Sequence, residues 1–285
     1  MTSLGAEVFG VIANAASREV ATNEDDYTDE TGIIHCGKCG EPKQFIMENF
    51  CGLGENRLVP CMCRCEQEQY EQRQKELADS QRMATIKSLR VNGIQDIGMR
   101  TARFEDAEDS IYIQKCRKYV EKWDELFKEN AGMIFCGPVG NGKTFAAACI
   151  ANALIDRGIP VLMTSFPRIL NAGFDKSEII TQMRKYDLVI IDDLGTERQN
   201  EYALETVYFT IDERCKSNKP LIITTNLGLA DLRNPASTEY KRIYDRVFEM
   251  CSPMVFKGES RRIAKANEKA AKIKAIMADI TNTEG

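Results

Sequence analysis

Eight consecutive residues have the types and spacing of a phosphate-binding loop. They are Gly137, Pro138, Val139, Gly140, Asn141, Gly142, Lys143 and Thr144, in the pattern G-x-x-x-x-G-K-T. Glycines let backbone N–H groups converge on an anion, and a helix that begins at the loop adds the positive end of its dipole. Lys143 is expected to contact the terminal phosphates, and the Thr144 hydroxyl to bind Mg²⁺. The loop therefore predicts a site for ATP and Mg²⁺.

Two further stretches place polar groups where apolar runs end. Asp192 and Asp193 follow the run 188–191, and Asn226 follows the run 221–225. A carboxylate at the end of a buried strand can hold Mg²⁺ beside a phosphate loop, so we assign that role to Asp192. Asp193 is the candidate for polarising the attacking water, and Asn226 for orienting it. The pattern predicts ATP hydrolysis. We expect it to be slow or to depend on a partner, because the Asp193 side chain is one methylene shorter than the glutamate commonly found at this position.

The chain has 11 cysteines, and five of them form two tight clusters. A C-x-x-C pair followed about twenty residues later by a second cluster is typical of a tetrahedral structural zinc site. We expect Cys36 and Cys39 to bind Zn²⁺ with Cys61 and Cys63, and Cys65 is the alternative for the second pair. Free thiols in a reducing compartment and an iron–sulfur cluster are the competing interpretations.

A sheet must position the polar groups, and the sequence predicts one. Five short apolar runs alternate with helical stretches, which is the pattern of a parallel sheet buried on both faces. The predicted strands are 133–136, 160–164, 188–192, 221–225 and 254–256. Before them we expect an exposed helix over 66–89, a loop with Phe104, and an amphipathic helix over 111–127. The fold class is α/β, a five-stranded parallel sheet flanked by helices.

Composition and charge set the remaining boundaries. The expected domains are a flexible acidic arm over 1–30, a zinc-binding domain over 31–68, a helical linker over 69–100, a nucleotide-binding domain over 101–262 and a basic helical tail over 263–285. The net charge of −5 gives no global positive field for nucleic acid. No apolar run reaches about eighteen residues, and no secretory signal begins the chain. We therefore expect a cytoplasmic protein without a membrane partner.

Several stretches together carry a family resemblance. They are the loop GPVGNGKT, the segment IIDDLGTERQNEYALETVYFTIDERCKSNKPLIITTN, the helix RIYDR, the terminal GESRR, and the preceding C-x-x-C and VPCxCxC lobe. They resemble the DnaC-type replicative helicase loaders of bacteria and phages, which are AAA+ P-loop ATPases of the initiator clade. The resemblance implies that the zinc-binding domain contacts a DnaB-type helicase hexamer. It also implies that the AAA+ body binds ATP and single-stranded DNA and assembles side by side with other copies.

The resemblance also assigns roles by position. Lys143 and Thr144 are Walker A residues, Asp192 and Asp193 are Walker B residues, and Asn226 is sensor 1. Arg242 falls at the arginine finger that acts on a neighbouring copy, with Arg246 as its alternative. Arg262 falls at sensor 2, with Arg261 as its alternative.

The segment 165–185 corresponds to an extra helical stretch that, by the resemblance, approaches single-stranded DNA. It carries the cations Arg168, Lys176, Arg184 and Lys185. Phe166 and Phe174 are candidate stacking groups for bases, although core positions are the favoured interpretation.

The leading functional hypothesis is an ATP-dependent loader of a DnaB-type replicative helicase onto single-stranded DNA. One alternative is a transposition helper ATPase of the IstB type, which acts on duplex DNA with a transposase. The other is a zinc adaptor whose nucleotide site only stabilises the fold.

Overall fold

The computed structural model of the 285-residue chain describes residues 20, 22–48, 56–172, 176–195, 201–235, 237–258 and 260–281. It forms two compact units, Met1–Gln81 and Arg82–Gly285. We call the first the lobe and the second the body. No helix in the described part of the chain has the length and apolar character needed to cross a bilayer.

The lobe consists of two small antiparallel strand pairs followed by the start of a long helix. Its elements are β1 (Tyr27–Thr28), β2 (Ile34–His35), β3 (Gln44–Met47), β4 (Arg57–Pro60) and α1 (Arg64–Gly93), whose residues are divided between the two units. Strand β1 pairs with β2, and β3 with β4. Residues 22–30, which we assigned to an acidic arm, thus include a paired strand.

The body contains the remaining helices and strands. The helices are α2 (Ile111–Glu121), α3 (Trp123–Lys128), α4 (Lys143–Asp156), α5 (Phe166–Leu170), α6 (Lys176–Gln182), α7 (Glu201–Lys216), α8 (Leu229–Arg233), α9 (Thr238–Met250) and α10 (Arg261–Thr281). The strands are β5 (Gly132–Cys136), β6 (Val161–Ser165), β7 (Leu188–Leu194), β8 (Leu221–Thr225) and β9 (Cys251–Val255). All five strands run parallel in the order β6-β7-β8-β5-β9.

Two apolar clusters cover the two faces of this sheet. Phe135 belongs to one cluster, whereas its neighbours Ile134 and Cys136 belong to the other, because side chains alternate along a strand. Helix α4 packs in the first cluster through small residues such as Ala147 and Ala151, both fully buried. The five predicted strands are confirmed, with ends that differ by up to three residues.

Two local predictions differ from the structure. The helix expected over 111–127 is two helices, because the backbone at Lys122 leaves the helical region with φ −94° and ψ 16°. Phe104 lies in a short 3-10 helix and is buried, with the Arg117 guanidinium 5.0 Å from its ring centre.

The strand order places the carboxyl ends of all five strands along one edge. Strand β5 lies between β8 and β9, so the loop after β5 meets the residues that follow both neighbours. In open parallel sheets, ligands bind at this edge, where the order of strands reverses.

Candidate nucleotide and metal sites

The loop between β5 and α4 has a backbone that requires glycine. Gly137 has φ 134° and Gly140 has φ 87°, a region that disfavours other residues. A Cβ at Gly137 would lie 2.2 Å from the carbonyl oxygen of Phe256, and one at Gly140 would lie 2.0 Å from Ser260 Oγ. The segment after β9 therefore packs directly on the loop. Gly142, with φ 83°, ends the loop as the N-cap of α4.

The Lys143 ammonium group lies inside this loop. Lys143 Nζ donates hydrogen bonds to the carbonyl oxygens of Gly137 and Pro138, both at 2.8 Å. It also donates to Asn226 Oδ1 at 3.0 Å, because β8 neighbours β5. Lys143 is buried. The structure thus brings together the lysine and the strand-terminal asparagine that the sequence singled out.

Thr144 and Asp192 are in direct contact beside the loop. The Thr144 hydroxyl donates to the Asp192 carboxylate, 2.8 Å from Oδ1 and 3.1 Å from Oδ2. The Thr224 hydroxyl on β8 also donates to Asp192 Oδ1. Burial raises the pKa of Asp192, and these two hydrogen bonds oppose the rise. A hydroxyl and a carboxylate so placed are oxygen ligands of the kind that Mg²⁺ prefers.

Asp193 has a left-handed backbone, with φ 61°, and is half-buried. Its backbone N–H donates to Thr224 Oγ1 at 3.1 Å. Thr224 is marked by no motif in the sequence. Its only signal was the polar pair that precedes Asn226.

Asn141 provides an independent sign that the loop is built for a polar ligand. Its Nδ2 donates to the carbonyl oxygen of Gly258 at 3.0 Å. Its Oδ1 is buried without a hydrogen-bond partner among the described residues. Together with the glycine cradle and the Lys143 ammonium, this loop fits a triphosphate.

The predicted arginine sites differ in their surroundings. Arg242 is exposed on α9, and within the described part of the chain its side chain makes no hydrogen bond or ion pair. Arg246, one turn further on, pairs with Glu249 at 2.8 Å and with Asp212 at 3.6 Å. The side chains of Arg261 and Arg262 lie outside the described part of the chain.

Four cysteine sulfurs meet in the lobe. They belong to Cys36, Cys39, Cys63 and Cys65, and all lie within 4.8 Å of one another. Four sulfurs bound to one Zn²⁺ at about 2.3 Å lie about 3.8 Å apart, so the group fits this metal with little adjustment. The backbone N–H of Glu41 lowers the pKa of Cys39 to about 6, whereas burial raises the pKa of Cys63 and the hydrogen bond with Cys39 raises the pKa of Cys65. A bound metal ion deprotonates such thiols outright.

Cys61 lies outside this group, although we had placed it among the ligands. Its N–H donates to the Lys43 carbonyl oxygen at 2.8 Å, so Cys61 still continues the β3–β4 pairing. Its sulfur is 3.5 Å from the Pro42 carbonyl oxygen. The chain turns into α1 only after Cys63, and this turn brings Cys65 to the cluster. The second pair of the cluster is therefore Cys63 and Cys65, the two cysteines nearest the start of α1.

A buried lysine connects the two cysteine pairs. Lys43 Nζ lies 2.8 Å from both Asp26 Oδ2 and Glu66 Oε1. Asp26 also accepts the N–H of Gly37, inside the first cysteine pair, at 3.0 Å. Glu66 accepts the N–H of Cys63 at 3.4 Å. No pattern in the sequence indicates this network, because Asp26 lies in a stretch that has the composition of a tail.

The segment 165–185 contains α5, α6 and a 3-10 helix, Met183–Lys185. Arg168 is exposed and lines an open groove of ≈ 960 Å³ with Gln95, Ile97 and other residues of the body. Arg184 pairs with Glu213. Phe166 is fully buried in the core. Phe174 and the side chain of Lys176 lie outside the described part of the chain.

The parallel sheet and the glycine loop define a P-loop nucleotide-binding fold, which is the fold class that the resemblance implied. The chain belongs to the family of IstB-like ATP binding proteins, whose model matches residues 58–270.

Several known proteins are similar to this chain in sequence. The replicative helicase loader DnaC of Escherichia coli (strain K12) is 28% identical over 143 residues, which are 47% of this chain and 56% of DnaC. The chain thus spans about half the length of the DnaC proteins that it matches. The replicative helicase loader DnaI of Bacillus subtilis (strain 168) is 23% identical over 216 residues, 68% of each chain.

Two solved structures share the fold. A crystal structure of DnaI has a TM-score of 0.50 at 20% identity and covers 59% of this chain and 95% of its own. A protein of Streptococcus pyogenes serotype M3 has a TM-score of 0.51 at 21% identity and covers 62% and 98%. These likenesses confirm the predicted fold class.

Proposed function

We propose that this chain is an ATP-dependent loader that places a DnaB-type hexameric replicative helicase on single-stranded DNA. The observation that carries the proposal is the meeting of Lys143, Thr144, Asp192 and Asn226 at the phosphate loop. It occurs in a chain whose relatives include proteins named replicative helicase loaders. ATP with Mg²⁺ would supply the energy, and the lobe would contact the helicase.

The loop residues have separate tasks in this proposal. Lys143 exchanges its bonds to the Gly137 and Pro138 carbonyl oxygens for phosphate oxygens. The Thr144 hydroxyl would hold Mg²⁺ through its oxygen, because its proton is donated to Asp192. Asp193 polarises the attacking water, and Asn226 orients it.

Hydrolysis is proposed to occur between neighbouring copies. Arg242 is the better candidate for the arginine finger, because Arg246 is already held by Asp212 and Glu249. Arg262 is proposed to contact the nucleotide. Ser260 packs on Gly140, so α10 begins close to the loop.

The lobe is proposed to bind one Zn²⁺ through Cys36, Cys39, Cys63 and Cys65. The metal would hold together a unit with little apolar core, and the hairpin β3–β4 exposes Ile46 and Leu58 as contacts for the helicase. Single-stranded DNA is proposed to run along the segment 165–185, with Arg168 at its backbone.

The test is helicase loading on circular single-stranded DNA coated with single-strand binding protein. The chain with ATP should transfer the cognate hexameric helicase to the circle, and Lys143→Ala should not. Phosphate release should need the helicase or DNA and should be lost in the same variant. Equal loading by the unmodified chain and by Lys143→Ala would show that the protein acts as a passive adaptor and not as an ATP-dependent loader.

A matched pair of variants tests the arginine assignment. Arg242→Ala should keep ATP binding but lower hydrolysis by about a thousandfold, because a finger acts on the transition state. Arg246→Ala should lower hydrolysis far less, since its ion pairs lie within one chain. If Arg242→Ala abolishes ATP binding, the residue acts within its own copy and the assignment fails.

The family description supports a second candidate, a transposition helper ATPase of the IstB type. The two functions differ in partner and DNA. Co-purification with a transposase, together with ATP hydrolysis that depends on duplex DNA, would select this candidate over helicase loading.

A further inference from the structure

Strand β7, which carries Asp192 and Asp193, has an irregular register against β8. Ile191 lies opposite Ile223, but Leu194 lies opposite Thr225. Two residues of β7, Asp192 and Asp193, therefore face the single residue Thr224. A two-against-one arrangement is a β-bulge, which re-aims side chains and leaves ladder groups without their usual partners.

The Thr224 side chain satisfies both residues of the bulge. Its hydroxyl donates to Asp192 Oδ1 and accepts the N–H of Asp193 at 3.1 Å. A hydroxyl has one donor and two acceptor positions, so one side chain can serve both partners. Thr224 is fully buried, and no exposed part of it can serve another ligand.

These bonds fix two features on which nucleotide chemistry depends. The Asp192 carboxylate is held between the hydroxyls of Thr224 and Thr144, which sets the direction of its remaining lone pairs. The left-handed backbone of Asp193, with φ 61°, is uncommon for a residue other than glycine, although aspartate adopts it more readily than most. The bond from its N–H to Thr224 stabilises this conformation and so sets where the Asp193 side chain leaves the strand.

We infer that Thr224 is the positioning residue for both acids of the nucleotide site. It does not contact the nucleotide; it acts through Asp192 on the metal and through Asp193 on the water. The inference rests on the proposed function for its consequence in ATP hydrolysis, but its geometric part can be measured without nucleotide.

The next residue provides a matched control. Thr225 is equally buried, and its hydroxyl also makes two hydrogen bonds. It donates to the Leu194 carbonyl oxygen at 2.7 Å and accepts the N–H of Leu227 at 3.2 Å. Both partners are backbone groups of other residues. Thr225→Val therefore removes two hydrogen bonds, as Thr224→Val does, but neither of them involves Asp192 or Asp193.

The first experiment measures Mg²⁺ dependence in the full chain. In Thr224→Val, the Mg²⁺ concentration for half-maximal ATP hydrolysis should rise about tenfold and kcat should fall about tenfold, an effect typical of groups that orient metal ligands. ATP binding without Mg²⁺ should be unchanged. Thr224→Ser should restore both values, and Thr225→Val should leave the Mg²⁺ midpoint unchanged. Equal Mg²⁺ midpoints in Thr224→Val and Thr225→Val would overturn the inference.

The second experiment separates this inference from the proposed function. Amide exchange of Asp193, followed by NMR in the nucleotide-free chain, should be faster in Thr224→Val and unchanged in Thr225→Val. If the unmodified chain hydrolyses no ATP, the proposed function fails while this result still supports the positioning. If Asp193 exchange is the same in Thr224→Val as in the unmodified chain, the positioning is wrong whatever the activity.

Discussion

Among the described residues, the lobe and the body each contain one cation that is only 1% exposed, and these two cations are stabilised in different ways. Lys43 in the lobe is 1% exposed and lies between the carboxylates of Asp26 and Glu66. Arg214 in the body is also 1% exposed, but its partners are all carbonyl oxygens. Its five N–H donors make five hydrogen bonds, to Met183, Tyr186, Asp187 and twice to Pro220.

This difference follows from what else each unit buries. Among the described residues of the lobe, the buried apolar ones are Cys36, Val59 and Cys63, two of which are metal-site candidates. The body buries two large apolar clusters. A rigid backbone can direct neutral carbonyl dipoles at a guanidinium, whereas a small unit without such a core needs opposite charges and a metal. The lobe is thus held by polar bonds and the body by apolar packing.

Metal removal is the strongest test of this comparison. A chelator should unfold the lobe and leave the body folded, because a structural zinc site supplies about 10–16 kcal/mol of folding free energy in small domains. Hydrogen exchange should show fast lobe amides and unchanged body amides. Cys63→Ser should lose the zinc, whereas Cys61→Ser should keep one zinc per chain. A zinc-free Cys61→Ser protein would contradict the ligand set.

Removal of the buried guanidinium should weaken the body next. Arg214→Met removes five hydrogen bonds, although the Met183 and Pro220 carbonyl oxygens still accept backbone N–H groups, from Tyr186 at 3.2 Å and Val189 at 3.4 Å. The loss should cost about 4 kcal/mol of unfolding free energy. The control is Arg246→Met, whose side chain is 41% exposed and should cost less than about 1 kcal/mol. Urea unfolding of the body measures both. Similar losses in the two variants would mean that the Arg214 bonds are not a special feature of the body.

Replacement of the buried lysine should have the smallest effect. Lys43→Met frees Asp26 and Glu66, which hold the backbone of the two cysteine pairs, so zinc affinity should fall about tenfold. Lys38→Met is the matched control, because Lys38 lies between Cys36 and Cys39 in sequence but is exposed. Competition with a chelator of known affinity measures both. If Lys38→Met lowers the zinc affinity as much as Lys43→Met does, then net charge and not the buried network sets that affinity.

The elements of the body could be predicted from the sequence because each rests on a local pattern. The apolar runs of β5, β7 and β8 are short and continuous. The glycines of the phosphate loop stand at positions where the backbone has positive φ. The break at Lys122 has no such pattern, since the apolar periodicity continues through it.

The sequence by itself determined which residues are candidates for the chemistry: the glycine loop with Lys143, the two acids in β7, and two groups of cysteines. The tertiary structure alone decided which of them meet. It exchanged Cys61 for Cys65 because the chain turns into α1 after Cys63, and it placed Thr224 between two acids because the strands are out of register there. Those choices depend on contacts between segments that are distant along the chain, which spacing does not encode.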